Sequence, residues 1–575
     1  MDKESQLNLL LAIVLSTLVF VGYSYWTQKT RQQEQEQMPA AVPTEQQEPA
    51  VPVQPSVATP SAPEQETPAQ TIAITVDEEA ALNAEDVEFE TPLVRATFTT
   101  LGGRLKQLEL KNYDSKASGY VKLVPYSEQT RHGLYPFGVT IPFEPAGIGD
   151  LPNKVLYTVE REEDRIAFTA EVAKGLWLEK SFRFRPDSYL AELDITLRNS
   201  GEKTVFVGED EKPSYELNWE PGILEPALRG QRKTFRLMTY GEKFSEKGLG
   251  RLKEDLTFFG IEWVGVRSRY FLAVILPKGK LVDAVAQKIG DQMARITIAA
   301  ESCKLAAGEA HTDSYLLYMG PKDKEILQAA GHHLERAVYF GMFNFFGDLM
   351  LRFMKLCYKV VPNYGVAIIV LTIVVRMLLY PLTRSSFKSM KRMRELQPKM
   401  QELRDKYKNN QQDLNKKMME MYKKEGVNPM GGCLPMLAQF PVWIALFTTL
   451  REAIELRGAP FVWWIKDMSE PDKAATLPTA LPFLGDEVNL LPLLMMGSML
   501  LQQKLMTPPG GGGQQDSQKM MMLMMPIMFG FLFYHMPAGL CLYIFVSTMI
   551  GFAQQMFVNK GWSEKLKAVV FKRSE

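Results

Sequence analysis

Arg376 stands inside the apolar run IVVRMLLYPLTR, residues 373–384. A cation near the middle of a membrane-spanning segment costs about 2.5–3.5 kcal/mol on insertion scales, so it persists where water or a partner reaches it. One outlet is snorkelling toward the end marked by Tyr380, Pro381 and Arg384. The other is a hydrated groove. Neighbouring apolar runs supply polar side chains for one: Thr372 a turn earlier, Gln439, Gln502 and Gln503, and Tyr543, Ser547 and Gln554 on one face of the last run. No Asp or Glu lies in the middle of these runs, so any counter-ion for Arg376 would have to come from outside the chain. The chemistry expected is electrostatic capture, not bond breaking. There is no HExxH, no serine with an evident base and no pair of intramembrane aspartates. The loop TPPGGGGQQDSQ lacks the Lys-Ser/Thr ending of a phosphate-binding loop. No catalytic residue, cofactor, metal or small-molecule substrate is therefore expected. A secondary transporter binding an anion at Arg376 is the rival, but it calls for paired broken helices and internal repeats, and no repeat is visible.

Methionine adds a second chemistry. LLPLLMMGSMLLQQKLM and KMMMLMMPIMFGFLFYHM place flexible, polarizable side chains in two adjacent runs. Such surfaces adapt to many apolar partners, although a Met-rich core helix reads the same way. The run from Met520 to Met536 covers about 25 Å as a helix, less than the roughly 30 Å hydrocarbon core, so the bilayer should thin beside it.

Several elements must position these groups. The 575 residues carry 66 basic and 66 acidic side chains, which leaves no global pull toward nucleic acid. Residues 7–26, LNLLLAIVLSTLVFVGYSYW, are long enough to span; with a weakly basic flank and no convincing cleavage site, residues 1–27 are expected to be an uncleaved anchor rather than a signal peptide. Residues 28–84 are rich in Pro, Gln and Glu and read as a disordered tether. From 85 to 330, alternating runs such as RIAFTAEVA and LWLEKSFRFRP predict a large β-sandwich, with His311 and the acidic residues on solvated faces. Residues 335–360 set Asn344, Asp348, Arg352, Lys355 and Lys359 in one polar stripe, the pattern of an amphipathic interfacial helix.

Five further spans are expected at about 363–382, 431–450, 489–506, 520–536 and 538–557, within a core of residues 361–558. With the anchor they make six, and both termini share one side. Residues 383–430 hold 13 Lys and Arg against 6 Asp and Glu, and the tail 559–575 is basic, so these face the cytoplasm and the β domain faces the periplasm. Within 383–428, Met393, Leu396, Met400, Leu403 and Tyr407, then Leu414, Met418 and Met421, predict two helices zipped as an antiparallel hairpin. Its cations, among them Arg394, Lys399, Arg404, Lys416 and Lys417, suit docking of nascent chains or of the ribosome; a plain connector is the alternative.

Several stretches in order, NYGVAIIVLTIVVRMLLYPLT, ELQPKM, VNPMGGCLPMLAQFPVWIALF, LRGAPFVWWIKDMS and MPAGLCLYIFVSTMIGFAQQ, resemble the YidC/Oxa/Alb family of membrane protein insertases over residues 335–560. The anchor, tether and β domain resemble its Gram-negative branch. That resemblance implies a polytopic α-helical membrane protein of six transmembrane helices, five forming the core, plus a periplasmic all-β supersandwich. It implies an insertase and chaperone for protein transport into the bacterial inner membrane, working without nucleotide, alone or with the Sec translocon (SecYEG and SecDF). Nascent membrane proteins and the lipid bilayer are the partners implied, with the ribosome and a targeting receptor as further candidates. By motif the family's groove arginine falls on Arg376, with Thr372, Gln439 and Tyr543 at neighbouring groove or core positions; Ser547 joins the expected groove by sharing a face of the last run with Tyr543. The family's apolar slide maps onto Leu434, Met436, Met521 and Met525. The short tail KAVVFKRSE departs from relatives with long basic tails, which puts ribosome binding through it in doubt.

Overall fold

The computed structural model describes residues 83–115, 119–124, 135–142, 148–208, 212–220, 235–248, 254–290, 293–407, 410–426, 434–481, 485–506 and 515–559. The expected anchor, the tether up to residue 82 and the tail from residue 560 lie outside these. Residues 499–529 form a unit separate from the rest of the described chain.

The alternating runs become antiparallel strands. Nine of them order as Phe244–Gly248, Arg236–Tyr240, Trp263–Arg267, Phe271–Pro277, Ala310–Pro321, Leu190–Asn199, Leu176–Phe184, Arg165–Ala173 and Thr158–Arg161. A five-stranded sheet runs Leu256–Ile261, Val282–Gly290, Met293–Ala299, Glu216–Trp219, Gly138–Thr140, and a four-stranded sheet runs in chain order from Asp86–Glu90 to Tyr120–Val124. In Arg165–Ala173 the residues Ile166, Phe168, Ala170 and Val172 are buried, as a period of two requires. Phe98 of the four-stranded sheet meets Phe168 and Phe182 of the nine-stranded sheet at 5.3 and 4.8 Å between ring centres; Phe137, beside the five-stranded sheet, meets Phe182 at 5.4 Å. All three sheets thus share one aromatic core.

One inward position breaks the pattern. Lys180 lies between Leu178 and Phe182 on the inward face, is fully buried, and donates to the carbonyls of Gly102 and Phe137, both at 2.8 Å. Burial pulls its pKa well below the usual lysine range. It ties the turn before Arg104–Asp114 and the residue before Gly138–Thr140, one from each smaller sheet, to the large one.

The helices are α1 (Lys324–Ala330), α2 (Asn344–Val360), α3 (Tyr364–Leu378), α4 (Tyr380–Glu395), α5 (Gln397–Lys406), α6 (Gln411–Lys424), α7 (Leu434–Glu452), α8 (Leu490–Met506), α9 (Gln515–Phe533) and α10 (Ala538–Asn559). Asn363 caps α3 by accepting from the Val366 amide, and its own amide group donates to the Phe461 carbonyl. The run expected as one span over 363–382 stops at Leu378, and α4 continues at about 60° to α3. Pro381 has no N–H and disfavours helix at the residue before it, yet it fits the first turn of a new helix, so the chain bends there. Among the described residues, one helix, Ala538–Phe557, is long and apolar enough to cross a membrane unaided; the α3–α4 pair passes only as a bent unit, and Leu490–Gln503 and Met524–Phe533 are shorter apolar helices.

Candidate functional site

Arg376 lies in the last turn of α3, where a cation faces the negative end of the helix dipole. Its Nε donates to Ser547 Oγ of α10 at 2.8 Å. The side chain is half-buried, and among the described residues it makes no ion pair. One turn before Ser547 on α10 is Tyr543, 2% exposed, whose hydroxyl accepts from Gln439 Nε2 of α7 at 3.5 Å, a long contact. Arg376, Ser547, Tyr543 and Gln439 therefore form a polar seam across three helices, each a position expected from the sequence. Gln554 and Gln555 extend the polar content of α10; their Oε1 atoms are buried without a hydrogen-bond partner among the described residues. Gln555 was not anticipated, although it follows Gln554 in the quoted motif.

Thr372 behaves differently. It is fully buried and gives its hydroxyl to the Ile368 carbonyl of its own helix at 2.6 Å, so it packs the helix instead of offering a free polar group. Of the slide positions, Met525 is half exposed, whereas the side chains of Leu434, Met436 and Met521 lie outside the described residues.

The expected helical hairpin forms between α5 and α6. Tyr422 packs on Met400, its hydroxyl 3.6 Å from the sulfur, and Lys399 meets Glu425 at 2.7 Å, contacts that require antiparallel helices. Leu396, Leu414 and Tyr422 are buried in this region. Tyr422 takes a place expected for Met421, which is less buried. Arg404, Lys416 and Lys417 are exposed, and the side chain of Arg394 lies outside the described residues.

A second cluster of charge went unnoticed in the sequence. Glu452, at the end of α7, accepts from Arg267 Nη1 at 3.0 Å and Lys322 Nζ at 2.6 Å, both from the β-sandwich; Arg267 also pairs with Glu246. Burial would raise the Glu452 carboxyl, but Lys322 and Arg267 hold it far below the usual carboxylate range. Lys322, buried and beside Arg267, is pulled down to about 8. Lys355 of α2 sits among Glu455 at 2.7 Å, Asp323 at 3.8 Å and Glu325. Burial works against its charge, yet these carboxylates raise it above the ordinary lysine value. Asp348 of α2 pairs with Lys324 and with Arg352. Of the polar stripe on α2, Asp348 and Lys355 thus turn to the β domain and to the turn after α7, while Arg352 and Lys359 stay exposed. Phe345, Leu349, Leu356 and Val360 are exposed apolar residues of the same helix.

Two family models match the chain: the YidC periplasmic domain over residues 86–353 and the 60Kd inner membrane protein over residues 356–565. The membrane protein insertase YidC of Geobacter metallireducens is 35% identical over 567 residues, covering 96% of this chain and 98% of the relative. That of Pelobacter propionicus is 34% identical, again covering 96% and 98%. A crystal structure of an active YidC insertase with its first transmembrane domain resolved aligns with 81% of this chain and 91% of its own, at 18% identity and a TM-score of 0.35.

Proposed function

The chain belongs to the YidC family of inner-membrane protein insertases with a periplasmic β-sandwich domain, and from that premise we infer how it inserts its clients. Arg376 transiently attracts an acidic or polar extracytoplasmic tail of a nascent membrane protein into a hydrated groove between α3, α7 and α10, which shortens the tail's path through hydrocarbon. Leu434, Met436, Met521 and Met525 hand the adjoining apolar segment to lipid. The driving force is burial of that segment, about 20 apolar residues gaining several kcal/mol on insertion scales, so no nucleotide is consumed.

The observation that carries this reading is the partner of Arg376. A half-buried guanidinium bonded to a neutral serine hydroxyl, with no ion pair among the described residues, keeps its field available for a visiting anion. The proposed topology has six spans, both termini cytoplasmic, the tether and the β domain periplasmic, and α2 lying along the interface. The cations of the α5–α6 hairpin receive the emerging chain, and the Sec translocon and the ribosome are the proposed larger partners.

Proteoliposomes and a client with an acidic tail test the groove. Arg376→Ala is expected to insert poorly and Arg376→Lys nearly as well as the parent; equal insertion by all three removes the charge from the mechanism.

A further inference from the structure

The five-stranded sheet has a face that the core does not use. Along Glu216–Trp219, Leu217 and Trp219 turn into the aromatic core, at 0% and 2% exposure, while Glu216 and Asn218 line a cavity of about 470 Å³ on the other side. Glu220 continues that row. Thr297 stands opposite Asn218 in the ladder and Thr140 opposite Glu216. Gln287 stands opposite Arg295 on the next pair of strands. One face of the sheet therefore presents a carboxylate, a carboxamide, a guanidinium and hydroxyls toward one space.

This floor is built and largely buried. Asn218, Glu220 and Thr297 are each less than a tenth exposed. Thr297 donates to Asn218 Oδ1 at 2.8 Å, and Asn218 Nδ2 reaches Thr140 Oγ1 at 3.1 Å, which orients the amide. Arg295 gives its Nε to Glu220. The Glu216 carboxylate, half-buried, has no hydrogen-bond partner among the described residues, and burial raises both Glu216 and Glu220. Polar groups oriented in a cavity of this size, with perturbed carboxyls among them, are the marks of a small-ligand site, whose volumes run about 300–1,000 Å³.

The lining also selects the ligand. An apolar client segment finds little purchase, because the apolar lining is confined to Val285 and the Tyr135 ring, which the Arg104 guanidinium covers at 5.1 Å. A strong anion meets Asp150, Glu216 and Glu220, and a strong cation meets Arg104 and Arg295. A neutral polyol meets only donors and acceptors, and planar carboxylate, guanidinium and amide groups each engage two adjacent hydroxyls. We propose that this face of the β domain is a saccharide-binding site for one or two sugar rings, separate from the insertion groove.

The test uses the full chain in a detergent without a sugar headgroup, followed by saturation-transfer NMR and tryptophan fluorescence, since Trp219 backs the binding strand. Maltose, cellobiose and N-acetylglucosamine are the probes, with the dipeptide Lys-Glu in a parallel arm. At least one sugar should bind saturably near about 1 mM, and Glu216→Gln and Gln287→Ala should each weaken it about tenfold with the melting temperature unchanged. Arg376→Ala should leave sugar binding intact, which separates this site from the groove. Absence of saturable binding by all three sugars up to about 50 mM, equal binding by the Glu216 and Gln287 variants, or preference for the dipeptide overturns the proposal.

Discussion

Glu452 holds Arg267 at 3.0 Å and Lys322 at 2.6 Å, whereas Arg376 has a serine hydroxyl at 2.8 Å and no carboxylate among the described residues. Both regions withdraw cations from water, and among the described residues only the first supplies the anion. Desolvating a charge costs several kcal/mol per ion, and a buried pair recovers that cost only with good geometry and further hydrogen bonds. Glu452 receives them, and its two partners reach from the β-sandwich to the end of a membrane-region helix. At α3 the compensation is partial: a hydroxyl, a helix dipole and the remaining access to water. The first arrangement suits a permanent joint, and the second suits a site whose partner comes and goes.

The largest expected effect comes from removing the anion at the joint. Glu452→Ala leaves Arg267 and Lys322 buried without their shared partner and is expected to cost about 3–5 kcal/mol, read as a large fall in the melting temperature of the purified chain. A melting temperature equal to the parent's would show that the joint relaxes or hydrates, and the contrast with the groove would dissolve.

The groove should respond in the opposite sense. Ser547→Asp gives Arg376 the built-in counter-ion it lacks. Insertion of an acidic-tailed client is expected to fall about tenfold, roughly 1.4 kcal/mol of lost capture, while the melting temperature holds or rises. Unchanged insertion by that variant means the charge of Arg376 is not what the client meets.

Acidification sharpens the comparison. The Glu452 carboxyl is depressed below the usual 4.5, so its contribution to stability is complete above the unfolded-state value and drains as pH falls below it. Between about pH 6 and pH 3.5 the parent should therefore lose more melting temperature than Glu452→Gln, and parallel acid curves would contradict the assignment. The smallest effect belongs to exposed charge. Lys399→Ala removes a solvent-facing pair with Glu425 on the hairpin and should leave the melting temperature unchanged; any change in client capture would then report docking by the hairpin.

How much of this was legible beforehand depends on how far apart the interacting residues lie. Arg376, Gln439, Tyr543 and Ser547, the residues of the proposed groove, announce themselves because a polar residue in an apolar run is improbable whatever surrounds it. The bend after Leu378 carried a signal too, in Pro381 three residues later, but the apolar run continued past it and hid the break. Thr372 looked like a groove residue because a hydroxyl in an apolar run resembles a lining group; only the bond to Ile368 reveals a helix-internal role. Glu452 gave no warning. It directly follows Arg451 at the end of an apolar helix and reads as an ordinary membrane-edge charge, while Arg267 and Lys322 lie 185 and 130 residues away.

What the sequence determined by itself is what repeats over a few residues: the alternation of the β-sandwich, the apolar helices, the hairpin seam and the absence of an acid beside Arg376. Periodicity and composition are local, and burial follows from them with little help. What only the tertiary structure decided is which charges end up paired. A counter-ion acts over a few ångströms in space, whatever its distance along the chain. Among the described residues, the same residue type became a clasp at 267 and a cation on a serine hydroxyl at 376, because only the first place brings a carboxylate within reach.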